Sequence, residues 1–266
     1  MQEQPPPETA GATGAPPQER PRPVRVPAAA AGPTPKGPTP ARVKVCGVTR
    51  LEDAELAADA GAWAIGMIFF RGSKRRCRIG QAQAIGASLK RRTELAGVFV
   101  NQTLDEIDEI AQACNLTLVQ LHGDEGPSFC AEVARRTGAK VIKAARVRTG
   151  ADVRALQVFH TDFHLLDTYV EGEAGGTGRT FDWSLAKVSR AVPGERPPRL
   201  ILSGGLTPDN VADAMRAVHP YAVDVASGTE SEPGRKDPQL VRAFIRAATA
   251  GRNADDPTPT TTTESR

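Results

Sequence analysis

Eight short runs of apolar and β-branched residues recur along the chain, each followed by a polar turn and most by an alanine-rich amphipathic stretch. The runs are "RVKVCGV", "WAIGMIFF", "LAGVFV", "LTLVQL", "KVIKAARV", "FHLLDT", "RLILSGG" and "YAVDVASG". "LEDAELAADAGA" follows the first and "TLDEIDEIAQAC" the third; "TPDNVADAMRAV" follows the seventh, with Thr207 expected as N-cap and Pro208 at the first helical position. Continuously apolar strands alternating with helices predict a parallel sheet covered by helices. Eight such units predict one α/β domain, a closed (β/α)8 TIM barrel, with a doubly wound open sheet as the alternative.

The barrel is expected over residues 41–250. Residues 1–40 are mostly Pro, Ala, Gly and Thr, and the tail 251–266 reads the same way. Such segments have too little to bury to offset their ordering entropy, so both are expected to be disordered. The chain is 24% charged with a net charge of +3 and both signs intermixed, which argues for no nucleic-acid partner. No apolar run approaches the roughly 18 to 20 residues a membrane span needs, and the N-terminus lacks a signal peptide's apolar segment. The four cysteines contain no CxxC pair, which points to no metal site or disulfide framework and to a cytoplasmic location.

In a barrel of this kind function lies where strands end and loops begin. Cys46 closes the first run, as a small core filler or as a catalyst. Asp167 closes the sixth, where an unpaired carboxylate would be costly, so it is hydrogen-bonded, paired or catalytic. A thiol and a carboxyl facing one substrate suit an isomerisation with two proton transfers. Glycine clusters stand at "GGTG" (Gly175 to Gly178), "SGG" (Ser203 to Gly205) and "ASGTE". Their backbone amides predict a phosphate site at the last tips. Arg75 could fork onto a carboxylate or phosphate, or belong to a solvated basic loop. His122 is a general base or a packed residue, and Lys143 raises the alternative of a Schiff-base aldolase.

Taken together, "KVCGVTR", "GVFVNQ", "VQLHGDE", "LLD", "GGTGRTFDW", "LSGGLTPDNV" and "VDVASGTESEPGRKD" resemble, in order and interval, the phosphoribosylanthranilate isomerase family. The resemblance covers about Val43 to Asp237. It implies a (β/α)8 barrel that performs an Amadori rearrangement in tryptophan biosynthesis with no metal or organic cofactor. The expected partner is a small phosphorylated substrate, and the chain would be a monomer or homodimer. On the same ground Asp167 would be the general acid, Cys46 the general base and Arg75 the holder of the anthranilate carboxylate. Gly176, Gly204, Gly205, Ser227 and Gly228 would bind the phosphate, with Asp224 and His122 as further substrate contacts.

Those roles predict that the Cys46 thiol is shifted downward by a cation or helix terminus and that Asp167 is kept protonated by burial. Lys44 flanks Cys46 but is expected on the opposite face of the strand. Three features depart from the family pattern. Ser73-Lys74-Arg75 replaces Ser-Pro-Arg, which loosens that loop and lets Arg76 compete for the carboxylate. Ala226-Ser227 replaces a serine pair, and the N-terminal extension is additional. The histidine-pathway isomerase, the nearest rival, is expected to carry an aspartate where Cys46 stands. A catalytically silent, ligand-binding barrel would have no need of both Cys46 and Asp167.

Overall fold

In the computed structural model, described over residues 40–168, 183, 185–186 and 198–253, eight parallel strands close into a barrel in sequence order. They are β1 (Val43–Val45), β2 (Ala64–Ile68), β3 (Glu94–Phe99), β4 (Leu118–Leu121), β5 (Lys140–Val147), β6 (Phe163–Thr168), β7 (Arg199–Leu202) and β8 (Ala222–Val225). Closure rests on β1 pairing with β8, Lys44 beside Asp224. The open-sheet alternative is thereby overturned. Residues 1–39 and 254–266 and the "GGTG" loop with Gly176 lie outside the described residues.

The described helices are α1 (Leu51–Asp59), α2 (Ile79–Leu89), α3 (Leu104–Ala113), α4 (Pro127–Thr137), α5 (Gly150–Ala155), α6 (Val211–Val218) and α7 (Pro238–Asn253). A short antiparallel pair, β9 (Glu230–Glu232) and β10 (Arg235–Lys236), lies between β8 and α7. Helix α7 runs past residue 250, where the barrel domain was expected to end. No described helix is long and apolar enough to cross a membrane.

Side chains alternate between two apolar environments, as the two-residue period of a strand requires. Val43, Val45, Ile65, Met67 and Val223 pack outward with the helices. Ala64, Ala96, Leu118, Ile142, Leu165, Ile201 and Ala222 fill the barrel interior. At the strands' N-terminal ends Trp63, Phe163 and Tyr221 form an aromatic floor with ring centroids 5.5–5.7 Å apart. The guanidinium of Arg42 lies 4.4 Å and that of Arg199 4.9 Å from the Tyr221 ring, covering the floor from below. With one end plugged by packing, polar side chains gather at the other.

The expected start of α6 needs correction. The helix begins at Val211, with Thr207 in the preceding turn. Val211 N still donates to Thr207 O (3.1 Å), but the Thr207 side chain caps nothing. Asn210 closes the turn instead: its Oδ1 accepts from Thr207 N and its Nδ2 donates to Gly205 O.

Candidate active site

Seven polar side chains belong to the inner face at or near the strands' C-terminal ends: Lys44 and Cys46 of the first strand, Gln120 and His122 of the fourth, Asp167, Ser203 and Asp224. Lys44 therefore shares the face of Cys46, contrary to expectation. Residues two apart on a strand point the same way, so the opposite placement was a misreading of the period. Lys143 lies on the other face, among Val141 and Val147, where its Nζ donates to Gly123 O (2.7 Å) and Glu125 Oε2 (2.9 Å). An amine held this way against the helices is no Schiff-base nucleophile in the barrel, which removes the aldolase alternative.

Cys46 is 5% exposed, and its amide donates to Val225 O at 2.8 Å. Burial pushes its thiol up from the usual cysteine range; Lys44 pulls it down and Asp224 adds to the rise. The shift is upward where the sequence predicted a downward one, because desolvation of the thiolate exceeds the pull of the neighbouring ammonium. Burial would lower Lys44, but the Asp224 carboxylate at 2.7 Å and Cys46 outweigh it and hold the ammonium above the usual lysine range.

Asp167 stands at the end of β6, reached from β1 by way of β8 and β7. Its side chain keeps 28% exposure, so it sits at the rim rather than in the sealed site expected of it. His122 Nε2 lies 3.6 Å from Asp167 Oδ2. Gln120 Nε2 donates to His122 Nδ1 at 3.1 Å, which leaves the single ring proton on Nε2. Burial, aided by Arg146 and Lys44, lowers the His122 pKa to about 4, so the ring is neutral at physiological pH. A neutral His122 brings no positive charge to Asp167.

Arg75 turns toward the mouth while Lys74 and Arg76 are exposed. Its Nε lies 2.9 Å and 3.0 Å from the Glu230 oxygens, and its terminal nitrogen 2.9 Å from Glu230 Oε2. Lys236 also donates to Glu230 (3.1 Å) and to Ala226 O (2.8 Å). The loop that lacks the family's proline is ordered by other means. Ser73 Oγ accepts from Arg75 N, Ser73 O from Arg76 N, and Ile68 O from Cys77 N. Arg75 also lies over Gly47, where a Cβ would stand 2.8 Å from Arg75 Cδ and φ is +74°. Glu230, Lys236 and Arg146 are the neighbouring residues that sequence reasoning did not single out, although Glu230 and Lys236 both stand within "VDVASGTESEPGRKD".

Gly204 and Gly205 follow β7, and Ser227 and Gly228 open a single 3-10 turn after β8. Among the described residues, no backbone acceptor outside the helices and strands takes the amides of these four. A Cβ on Gly228 would lie 2.0 Å from Leu206 O, so only glycine lets the two loops approach. Asp224 is 6% exposed, with Oδ1 taken by Lys44 and Oδ2 by Ser203 Oγ at 3.0 Å. Its bonds are thus internal to the barrel. Beside the mouth a cavity of about 490 Å³ is lined by Asn101, His122, Lys143, Arg146, Asp152 and Phe159, among others.

Residues 43–247 match the family model described as N-(5'phosphoribosyl)anthranilate (PRA) isomerase. The N-(5'-phosphoribosyl)anthranilate isomerase of Geobacter metallireducens is 48% identical over 79% of this chain and 99% of its own. A crystal structure of phosphoribosyl anthranilate isomerase from Thermotoga maritima is 41% identical, with a TM-score of 0.71 over 78% of this chain and 98% of its own. Another, in complex with reduced 1-(o-carboxyphenylamino)-1-deoxyribulose 5-phosphate, is 40% identical, with a TM-score of 0.68 over the same shares.

Proposed function

Since the chain belongs to the N-(5'-phosphoribosyl)anthranilate isomerase family, we propose that it converts N-(5-phosphoribosyl)anthranilate to 1-(2-carboxyphenylamino)-1-deoxyribulose 5-phosphate, the third step from chorismate to tryptophan. The observation that carries this reading is the placement of Cys46 and Asp167 on one inner face, beside the glycine turns of Gly204, Gly205, Ser227 and Gly228. The amides of those turns anchor the phosphate, and the family resemblance assigns Gly176 the same role. Arg75, oriented by Glu230, faces the anthranilate carboxylate with the donors that Glu230 leaves free.

Asp167 gives its proton to the furanose ring oxygen as the C1'–O bond breaks, and the nitrogen lone pair forms the Schiff base. The Cys46 thiolate then takes the proton from C2', and the electrons of that bond move toward nitrogen to give an enolamine. Tautomerisation yields the ketone. His122, whose Nε2 lies 3.6 Å from Asp167, steadies the carboxylate left after the first transfer. Asp224 serves the base side through Lys44 more directly than it serves the substrate. We assign the reaction to the cytoplasm, carried out by a monomer or a homodimer in which each barrel holds its own site.

Loss of phosphoribosylanthranilate fluorescence tests the reaction, with the histidine-pathway substrate run beside it. Cys46→Ser and Asp167→Asn are each expected to lower kcat by about two orders of magnitude or more while leaving phosphate affinity in place. Near-normal turnover in either variant, or activity on the histidine-pathway substrate alone, would sink the assignment.

A further inference from the structure

Beneath the thiol lies an ion pair to which the reaction assigns no step. Lys44 is fully buried, its Nζ 2.7 Å from Asp224 Oδ1, and Ser203 Oγ donates to the other Asp224 oxygen at 3.0 Å. The Cys46 side chain is the next one along the same face, two residues on from Lys44. Gly66 on β2 shows how tightly they meet. A Cβ there would stand 2.8 Å from Cys46 Sγ and 3.1 Å from Lys44 Nζ, so the space above Gly66 is filled by both groups at once.

A general base must be the thiolate, and burial alone favours the neutral thiol. An adjacent ammonium reverses part of that preference, provided it stays charged. A buried lysine without a partner would surrender its proton, but Asp224, fixed by Ser203, holds the charge in place. The other charges around the sulfur do not replace it. Lys236, from β10, is engaged by Glu230 and Ala226 O; Arg75 is tied to Glu230; His122 is neutral; Asp224 repels the thiolate.

We propose that Lys44 is a positioning residue for proton abstraction, easing ionisation of the buried Cys46 thiol to the thiolate that takes the C2' proton, with Asp224 and Ser203 holding Lys44. The proton passes from C2' to sulfur, and Lys44 keeps its own proton throughout. The inference rests on the reading of Cys46 as general base.

The test is the rate of Cys46 alkylation by iodoacetamide as a function of pH, read by peptide mapping without substrate in the wild type, Lys44→Met and Lys44→Arg. Lys44→Met is expected to alkylate about tenfold more slowly at neutral pH, with the midpoint moved to the alkaline side, since one unit of pKa is a tenfold change in the ionisation ratio. Lys44→Arg should keep most of the wild-type rate. Should Lys44→Met fail to fold by circular dichroism, Lys44→Gln takes its place. Wild-type turnover measured in parallel separates the two claims. Normal turnover with an unshifted midpoint overturns the role of Lys44 alone, whereas absent turnover overturns the proposed reaction.

Discussion

Glu230 accepts from Arg75, from Lys236 and from the amide of Gly234 (3.3 Å), although its side chain is only 4% exposed. A buried carboxylate is tolerated when cations and donors surround it. Here that requirement welds the loop after β2 to the loop after β8 and aims the Arg75 fork. Glu230→Gln would leave both cations partly uncompensated and free Arg75 to turn outward. We expect KM to rise roughly tenfold with kcat changed less, the size of one lost hydrogen bond to a charged group. Steady-state kinetics checks it, and an unchanged KM would show that Arg75 needs no tether. Nothing in "GTESE" marks Glu230, because its partner stands 155 residues away in sequence. Cys46 was legible by contrast: its meaning comes from the end of its own strand.

At the scale of the elements, local chemistry decides some boundaries and tertiary contacts decide others. Thr103 opens α3 with a capping box: its hydroxyl accepts from Glu106 N, and the Glu106 carboxylate accepts from Thr103 N at 3.0 Å. Both partners lie three residues apart, so the helix start is written in its own turn. Thr103→Ala should lower stability by about 1 kcal/mol and leave turnover unchanged, since α3 carries none of the site residues named above. Urea unfolding beside the isomerase assay measures both. Thr207 looked equally good as a cap, yet Asn210 took over the turn to hold Gly205 O. The segment before α6 thus fixes the turn at Gly205 at the expense of an ordinary helix start.

For the whole molecule, the aromatic floor closes one end by packing, and the acid-sensitive His122 and Glu125 lie toward the other. His122 is held neutral to about pH 4 by burial, with Arg146, Lys44 and Lys143 acting the same way and Asp224 against them. In the unfolded chain it titrates near the ordinary value of about 6.5, so between those values the unfolded state binds more protons. Stability should therefore fall as pH drops from about 6.5 to about 4, by at most about 3 kcal/mol from this residue, and no further from it below that. Glu125, whose pKa is depressed by Lys143 and backbone amides against the pull of burial, adds a loss at the acid end. Urea midpoints across this window should flatten in His122→Gln; an unchanged slope would mean that His122 is not the group titrating. The sequence by itself determined the barrel, its eight units and the residues at their tips, because strand and helix periods are local and a parallel closed sheet is the arrangement that buries them all. It also carried the family resemblance that named Cys46 and Asp167. Only the tertiary structure decided which charges stand beside them. The Lys44–Asp224–Ser203 and Arg75–Glu230–Lys236 clusters join strands far apart in the chain, and the energy of a buried charge depends on neighbours brought there by folding, not on those beside it in sequence.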